Sequence, residues 1–103
     1  MPVQVQPAIS EISPGSDIAV ARAIAAGDRE AFRMLVQRHG RLLYRTARSI
    51  LKDDRDAEDA VQSAYLLAHT KISTFEGGSA LSTWLVRIVI NEALASGANG
   101  RTS

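Results

Sequence analysis

The chain of 103 residues contains no cysteine, which excludes disulfide bonds and thiolate metal ligands. No segment approaches the ~18 consecutive apolar residues that a membrane-spanning helix needs. The N-terminus lacks the basic start and the continuous apolar run of a secretion signal. We therefore expect a cytoplasmic protein without disulfide bonds or thiolate-bound metal ions.

Proline is scarce, and all three prolines fall within the first 16 residues, among glutamine, serine and glycine. Such a composition cannot bury enough apolar surface to offset the entropy of ordering, so residues 1–16 are predicted to be a disordered leader. After Leu94 the chain consists mainly of alanine, glycine, serine and asparagine, without large apolar residues. We expect one helical domain over residues 17–95 and a flexible tail over residues 96–103.

Alternating strand patterns and internal repeats are also missing, whereas apolar residues recur at helical spacing. The sequence predicts an all-α fold, a compact bundle of four helices. The second helix is expected over 29–51 and the third over 55–72. Capping residues mark the predicted starts, which are Ser16 or Asp17, Asp28, Asp53 or Asp54, and Ser79 or Ser82.

The second helix has two contrasting faces. Its basic face bears much of the positive charge of a chain whose net charge is only +1. This face is either a solvated surface or a contact for a polyanion. The apolar face is predicted from Phe32, Leu35, Val36, His39, Leu42, Leu43, Ala47, Ile50 and Leu51, and the basic face from Arg38, Arg41, Arg45, Arg48 and Lys52.

The sequence contains few groupings of residues that could support catalysis. His39 and His69 lie on separate helices, and neither has a ligand partner three or four residues away. Gly77 and Gly78 lack the spacing of a phosphate-binding loop. No nucleophile has a neighbouring base. We predict that the chain is not an enzyme and has no metal site and no cofactor.

Recognition is the remaining function, and the stretch from Phe75 to Leu94 offers one surface for it. A glycine-rich loop leads into a helix on which Thr83, Arg87 and Asn91 are four residues apart and so form one stripe. Asparagine can pair with a base edge, and arginine can bind phosphate. The stripe is predicted to be either a DNA-reading surface or the solvated edge of a core helix.

The aromatic residues of this stretch allow two interpretations. Phe75 and the open backbone of Gly77 and Gly78 could wall a pocket for an unstacked base, as single-strand binders require. Phe75 could instead pack in the core. For Trp84, which is flanked by apolar residues, core packing is the favoured interpretation.

A second candidate surface lies on the third helix. Asp56, Asp59, Gln62 and Ser63 form an acidic and amide stripe there. Such a stripe suits a protein partner that presents arginine side chains.

Three segments resemble a known family. They are G-D-R-E-A-F at 27–32, D-A-E-D-A-V-Q at 56–62, and the whole stretch 75–94. In order and spacing they are similar to region 2 of the extracytoplasmic-function (ECF) sigma factors, the promoter-specificity subunits of bacterial RNA polymerase. The resemblance covers residues 17–94.

The resemblance implies two partners for the chain. RNA polymerase would be bound through the β′ clamp helices, and the promoter −10 element would be read on its melted non-template strand. Ser63 stands where the family usually has glutamate. The implied polymerase contacts are Asp56, Glu58, Asp59, Gln62 and Ser63, and the implied DNA contacts are Phe75, Gly77, Gly78, Ser79, Ser82, Thr83, Arg87 and Asn91.

The sequence departs from the family at its end. The family continues into an arginine-rich extension, a linker and a second helical domain that reads the −35 element, whereas residues 95–103 supply only Arg101. We expect either a fragment of a longer protein or a foreign or frame-shifted tail. Two hypotheses follow: a sigma-factor domain that recognises and melts the −10 element, or a protein-interaction module that binds polymerase or an anti-sigma factor without useful DNA binding.

Overall fold

Four α-helices joined by short connections make up residues 14–100, the part of the chain that the computed structural model describes; side chains are described for residues 17–96. No strand occurs within this part. The predicted all-α, four-helix fold is therefore confirmed. The helices are α1 (Pro14–Ala25), α2 (Arg29–Ile50), α3 (Asp54–Lys71) and α4 (Leu81–Gly100), and a 3₁₀ turn (Ile72–Thr74) follows α3.

Two aspartates cap the helices in the middle of the chain. The Asp28 carboxylate accepts a hydrogen bond of 3.0 Å from the backbone N–H of Ala31. The Asp53 carboxylate accepts from the N–H groups of Arg55, at 2.7 Å, and Asp56, at 3.2 Å. Each cap satisfies donors that have no partner within the helix. The predicted cap of α2 is confirmed, and of the two candidates for α3 the structure has Asp53.

A glycine follows the last turn of α1 and ends the helix. Gly27 has a φ of 98°, a left-handed conformation that glycine adopts without steric cost. Its N–H donates to the carbonyl of Ile24, and the N–H of Asp28 donates to the carbonyl of Ala23. This pair of bonds is a Schellman motif, and it reverses the chain directly into the cap of α2.

The outer ends of the helical region differ from the prediction. Helix α1 begins at Pro14, inside the predicted leader, because proline suits the first turn of a helix. Helix α4 runs to Gly100 and enters the predicted flexible tail, where no proline interrupts it and alanines favour helix. The remaining predictions for the leader and the tail concern residues 1–13 and 101–103, which lie outside the described residues.

The core lies between α2, α3 and α4, which contact one another, while α1 packs against the 3₁₀ turn, α2 and α4. On α3 the buried face is mostly alanine, so the neighbouring helices can approach closely. Tyr65 donates from its hydroxyl to the carbonyl of Val36 at 3.3 Å. The buried residues of the three main helices are Leu35, Leu43, Ala47, Ala57, Ala60, Val61, Ala64, Tyr65, Ala68, Leu81, Leu85, Val89 and Ala93.

The prediction that Leu42 of α2 belongs to the apolar core face is wrong. Leu42 is 42% exposed, whereas its neighbour Leu43 is fully buried. The buried residues Leu35, Leu43 and Ala47 are separated by multiples of four, and Leu42 lies about 100° around the helix from Leu43.

No helix in residues 14–100 has both the length and the hydrophobicity that crossing a membrane requires.

The two leucines give a test of this core. We expect Leu43→Ala to lower the free energy of unfolding by about 2–5 kcal/mol, because it removes buried methyl groups and leaves a cavity. The matched change Leu42→Ala should cost less than about 1 kcal/mol, since that side chain is already partly in water. Urea unfolding of both variants measures the difference, and equal losses would contradict this assignment of the core.

Burial also makes stability depend on pH through one histidine. His39 lies half-buried beside the cleft between α1 and α2. Burial lowers the pKa of His39, the charge of nearby Arg38 lowers it further, and Asp17 acts in the opposite direction. At pH values near 6.5 this histidine is therefore protonated to a greater extent in the unfolded chain than in the folded protein.

We expect this difference to destabilise the protein as the pH falls from about 6.5 towards the lower folded pKa, because the unfolded state binds more protons in that window. In His39→Gln this contribution should be missing, so the variant should lose less stability over the same window. Urea unfolding at several pH values compares the two proteins. Identical pH slopes would refute the role of His39.

Candidate nucleic-acid interface

The polar stripe of α4 is a continuous exposed line. Thr83, Arg87 and Asn91 are all exposed, and successive members are about 6 Å apart along the helix axis. The buried stripe Leu81, Leu85, Val89 and Ala93 anchors the helix to the core. The structure therefore brings three of the eight predicted DNA contacts into one row. Whether they contact DNA stays a prediction.

The two glycines of the preceding loop have different roles. Gly77 has a φ of 83°, and a Cβ placed on it would lie 2.7 Å from Cδ1 of Ile18 in α1. Gly78 is exposed, and a Cβ placed there would meet nothing within 4 Å. Gly77 is thus fixed by conformation and by close packing, while Gly78 leaves open space in front of the loop.

Phe75 lies in the core. Its side chain is only 9% exposed, and its ring packs edge to face against Trp84, with the two centroids 5.7 Å apart. Its backbone N–H donates to the carbonyl of Ile72 at 3.1 Å. Because the ring packs against Trp84 of α4, this geometry favours the core-packing interpretation over the open base pocket. A contact of Phe75 with DNA stays a prediction.

The start of α4 is capped from another helix. The carbonyl of Ala80 accepts the N–H of Trp84 at 3.0 Å, which makes Ala80 the N-cap residue. The N–H of Leu81 donates to Oδ2 of Asp17 in α1 at 2.9 Å. Asp17 therefore caps α4 rather than α1.

The two serines predicted as caps of α4 lie beside this contact. Ser79 is half-buried, and its hydroxyl donates to the carbonyl of Ala80 at 3.3 Å. Ser82 is half-buried in the first turn of α4. The prediction that Ser79 or Ser82 caps α4 is wrong, because the N–H of Leu81 donates to the Asp17 carboxylate instead. Sequence reasoning had no signal for a partner 64 positions away.

The acidic and amide stripe of α3 lies mostly at the surface. Glu58, Asp59 and Gln62 are exposed, whereas Asp56 and Ser63 are half-buried. Ser63 borders a shallow groove of about 190 Å³ between α3 and α4, which also takes in Asp59, Glu92 and Ser96. The five predicted polymerase contacts thus lie on one helix, with their roles still predictions.

Sequence reasoning missed an apolar residue beside this stripe. Leu66 is 72% exposed and follows Gln62 by one helical turn. Its spacing of four residues from Gln62 is the signal that could have identified it. Singly exposed leucines are common at protein surfaces, so Leu66 adds an apolar group beside the stripe without assigning it a role.

The basic face of α2 is partly engaged within the protein. Nε of Arg48 lies 2.7 Å from Oδ1 of Asp54, and its Nη1 donates to the carbonyl of Leu51 at 3.0 Å. Arg41 and Arg45 are exposed. Arg48 therefore ties α2 to the start of α3, and the polyanion interpretation rests on exposed residues of this face such as Arg41 and Arg45.

The site offers charges, amides, hydroxyls and an open loop, which serve recognition. Within residues 14–100 no group of three or more histidine, aspartate or glutamate side chains lies close enough to hold a metal ion.

Comparison with known proteins identifies a family. Residues 35–96 match the model of sigma-70 region 2. The chain is 46% identical over 79 residues to the ECF RNA polymerase sigma factor SigM of Mycobacterium tuberculosis, covering 77% of this chain and 40% of that protein. It is 40% identical over 79 residues to the RNA polymerase sigma factor NccH of Alcaligenes xylosoxydans xylosoxydans, covering 77% of this chain and 42% of that protein.

A more distant relative agrees with these two. The chain is 32% identical over 78 residues to the ECF RNA polymerase sigma-E factor of Escherichia coli, covering 76% of this chain and 40% of that protein. The chain thus spans about two fifths of the length of the relatives it matches.

The two loop glycines generate a test of the site geometry. We expect Gly77→Ala to lower the free energy of unfolding by about 1–2 kcal/mol, because alanine is strained at this positive φ and its Cβ would displace Ile18. Gly78→Ala is the matched control and should be neutral or stabilise by up to about 1 kcal/mol. Thermal unfolding checks both, and equal effects would contradict the distinction between the two positions.

Proposed function

Since the chain belongs to the sigma-70 region 2 family and resembles ECF sigma factors, we propose that it acts in transcription initiation by binding RNA polymerase and recognising the promoter −10 element. The observation that carries the proposal is the exposed row of Thr83, Arg87 and Asn91 on α4, directly after the open loop.

The row has the chemistry that reading a DNA strand requires. The Asn91 amide can donate to and accept from one base edge, which gives sequence preference. The Arg87 guanidinium can bind phosphate or stack on a base, which gives affinity and register. The buried opposite face of α4 keeps the row in place, so little order has to be gained on binding.

The loop before α4 supports capture of an unstacked base. Gly78 is exposed with open space around it, and the hydroxyls of Ser79 and Ser82 lie close by in the chain. A base that leaves the duplex costs a few kcal/mol in lost stacking and pairing, and contacts with the flipped base offset that cost. In this proposal promoter melting comes from binding energy, and the chain catalyses no reaction.

RNA polymerase would bind on a different helix. The exposed side chains of Glu58, Asp59 and Gln62 on α3 present acceptors to arginine or lysine groups of the β′ clamp helices. Leu66, one turn further, adds an apolar contact to the same face. Because Ser63 carries no charge where the family usually has glutamate, we expect the docking to rest on the other members of the stripe.

A second function draws on the exposed stripe of α3 with Leu66 beside it, since this face can bind a protein partner whether or not DNA is bound. In this version the chain is an interaction module for polymerase or an anti-sigma factor without useful DNA binding. A salt titration of DNA binding separates the two functions. Phosphate contacts give an affinity that falls steeply with salt, and the module predicts no such slope.

The experiment uses the chain bound to core RNA polymerase and a labelled single-stranded oligonucleotide selected from a pool with a randomised window. We expect Asn91→Ala to cost about 1–3 kcal/mol of binding and to relax base preference at one position. Arg87→Ala should weaken all sequences alike and reduce the salt slope by about 0.7 for a lost phosphate contact on a single strand.

Matched controls come from exposed positions of α2. Gln37→Ala removes an amide and Arg29→Ala removes a guanidinium at the surface, and both should leave base preference unchanged. Unchanged affinity and preference in both Asn91→Ala and Arg87→Ala would overturn the assignment of these two residues.

A further inference from the structure

Helix α4 begins at a residue that cannot cap it. Ala80 occupies the N-cap position, and alanine has no side-chain acceptor for the unpaired N–H groups of the first turn. The partly buried carboxylate of Asp17 supplies the acceptor from α1, at 2.9 Å from the nitrogen of Leu81. Its negative charge also suits the positive end of the helix dipole.

Ile18, the next residue of α1, packs against the middle of the loop at Gly77. The side chain of Ile18 lies so close to Gly77 that no Cβ fits between them without movement. Ile18 also borders a cleft shared with Ile72, Phe75 and Glu76, at the end where the loop leaves the 3₁₀ turn. Two consecutive residues of α1 therefore contact the loop in its middle and at its exit into α4.

We propose that Asp17 and Ile18 are positioning residues for DNA recognition, which hold the loop 75–80 and the first turn of α4 in the conformation that receives the unstacked base. This inference rests on the proposed function. Neither side chain needs to contact DNA. A loop that is ordered before binding loses less entropy when the base enters, so removal of either contact should weaken base discrimination as well as stability.

A purely structural cap would behave differently, and α2 provides the comparison. Asp28 accepts a hydrogen bond from the first turn of α2 just as Asp17 does for α4, but it belongs to a different helix start. Asp17→Ala and Asp28→Ala each remove one capping carboxylate. Both should lower the melting temperature, and only Asp17→Ala should affect the loop.

The first readout is hydrogen exchange of the backbone amides of residues 76–83. We expect Asp17→Ala to speed exchange of the Leu81 amide by about fivefold or more, the effect of losing one cap, while Asp28→Ala leaves it within about twofold. Asp17→Asn keeps an acceptor oxygen and should restore most of the protection. Fluorescence of Trp84, the single tryptophan of the chain, reports on the same turn.

The second readout is base discrimination, measured with core RNA polymerase as the ratio of affinities for the selected single-stranded oligonucleotide and its scrambled version. This ratio should fall by about fivefold in Asp17→Ala, stay unchanged in Asp28→Ala and recover in Asp17→Asn. If Asp17→Ala does not fold, a milder pair of variants replaces it, with Ile18→Val as the test and Ile50→Val as its control. Ile18→Val removes only the methyl group nearest Gly77, and Ile50→Val removes one from α2.

The outcomes separate this inference from the proposed function. If the wild-type chain shows no preference between the two oligonucleotides, the proposed function fails, and hydrogen exchange alone decides whether α1 positions the loop. If the wild type discriminates and Asp17→Ala and Ile18→Val discriminate as well as their controls, the inference is overturned. Equal loop exchange in the two alanine variants would also overturn it.

Discussion

Burial of one stripe of α4 constrains everything that the candidate interface presents. Leu81, Leu85, Val89 and Ala93 recur every four residues, and all four are at most 2% exposed. Once this stripe is fixed against α2 and α3, helical geometry turns the stripe of Thr83, Arg87 and Asn91 away from the core. The interface therefore needs no separate scaffold, because the packing that stabilises the domain also sets the direction and spacing of the polar row.

Helix α3 is organised in the same way, with small residues on its buried face and polar residues on the opposite face. Its buried alanines, such as Ala57, Ala60 and Ala64, let the neighbouring helices pack closely, and close packing recovers dispersion energy that small side chains alone would not supply. The opposite face is free to carry Glu58, Asp59 and Gln62 at the surface. The proposed DNA and polymerase contacts thus lie on adjacent helices whose mutual packing sets their relative positions.

Helix α1 contributes in another way, since it buries Ala21 and Ile24 in the core and also contacts the loop on which the proposed recognition depends. A carboxylate at the start of α4 satisfies a backbone donor, and an isoleucine fits against a glycine without a Cβ. Loops that bind a flipped base have to be open to solvent, so they cannot be ordered by burial alone. Contacts from behind, made by a separate helix, order such a loop while leaving its front accessible.

The sequence by itself determined the four helices, the cap at Asp28, the two candidates Asp53 and Asp54 for the cap of α3, and the exposed stripe of α4, because capping and helical periodicity are local properties that act within a few residues. Only the tertiary structure decided that Phe75 packs against Trp84, that Leu42 is exposed and that Asp17 caps α4. These outcomes depend on which surfaces meet when distant helices pack. No local pattern records a hydrogen bond between residues 64 positions apart, since its two groups become neighbours only after the bundle has formed.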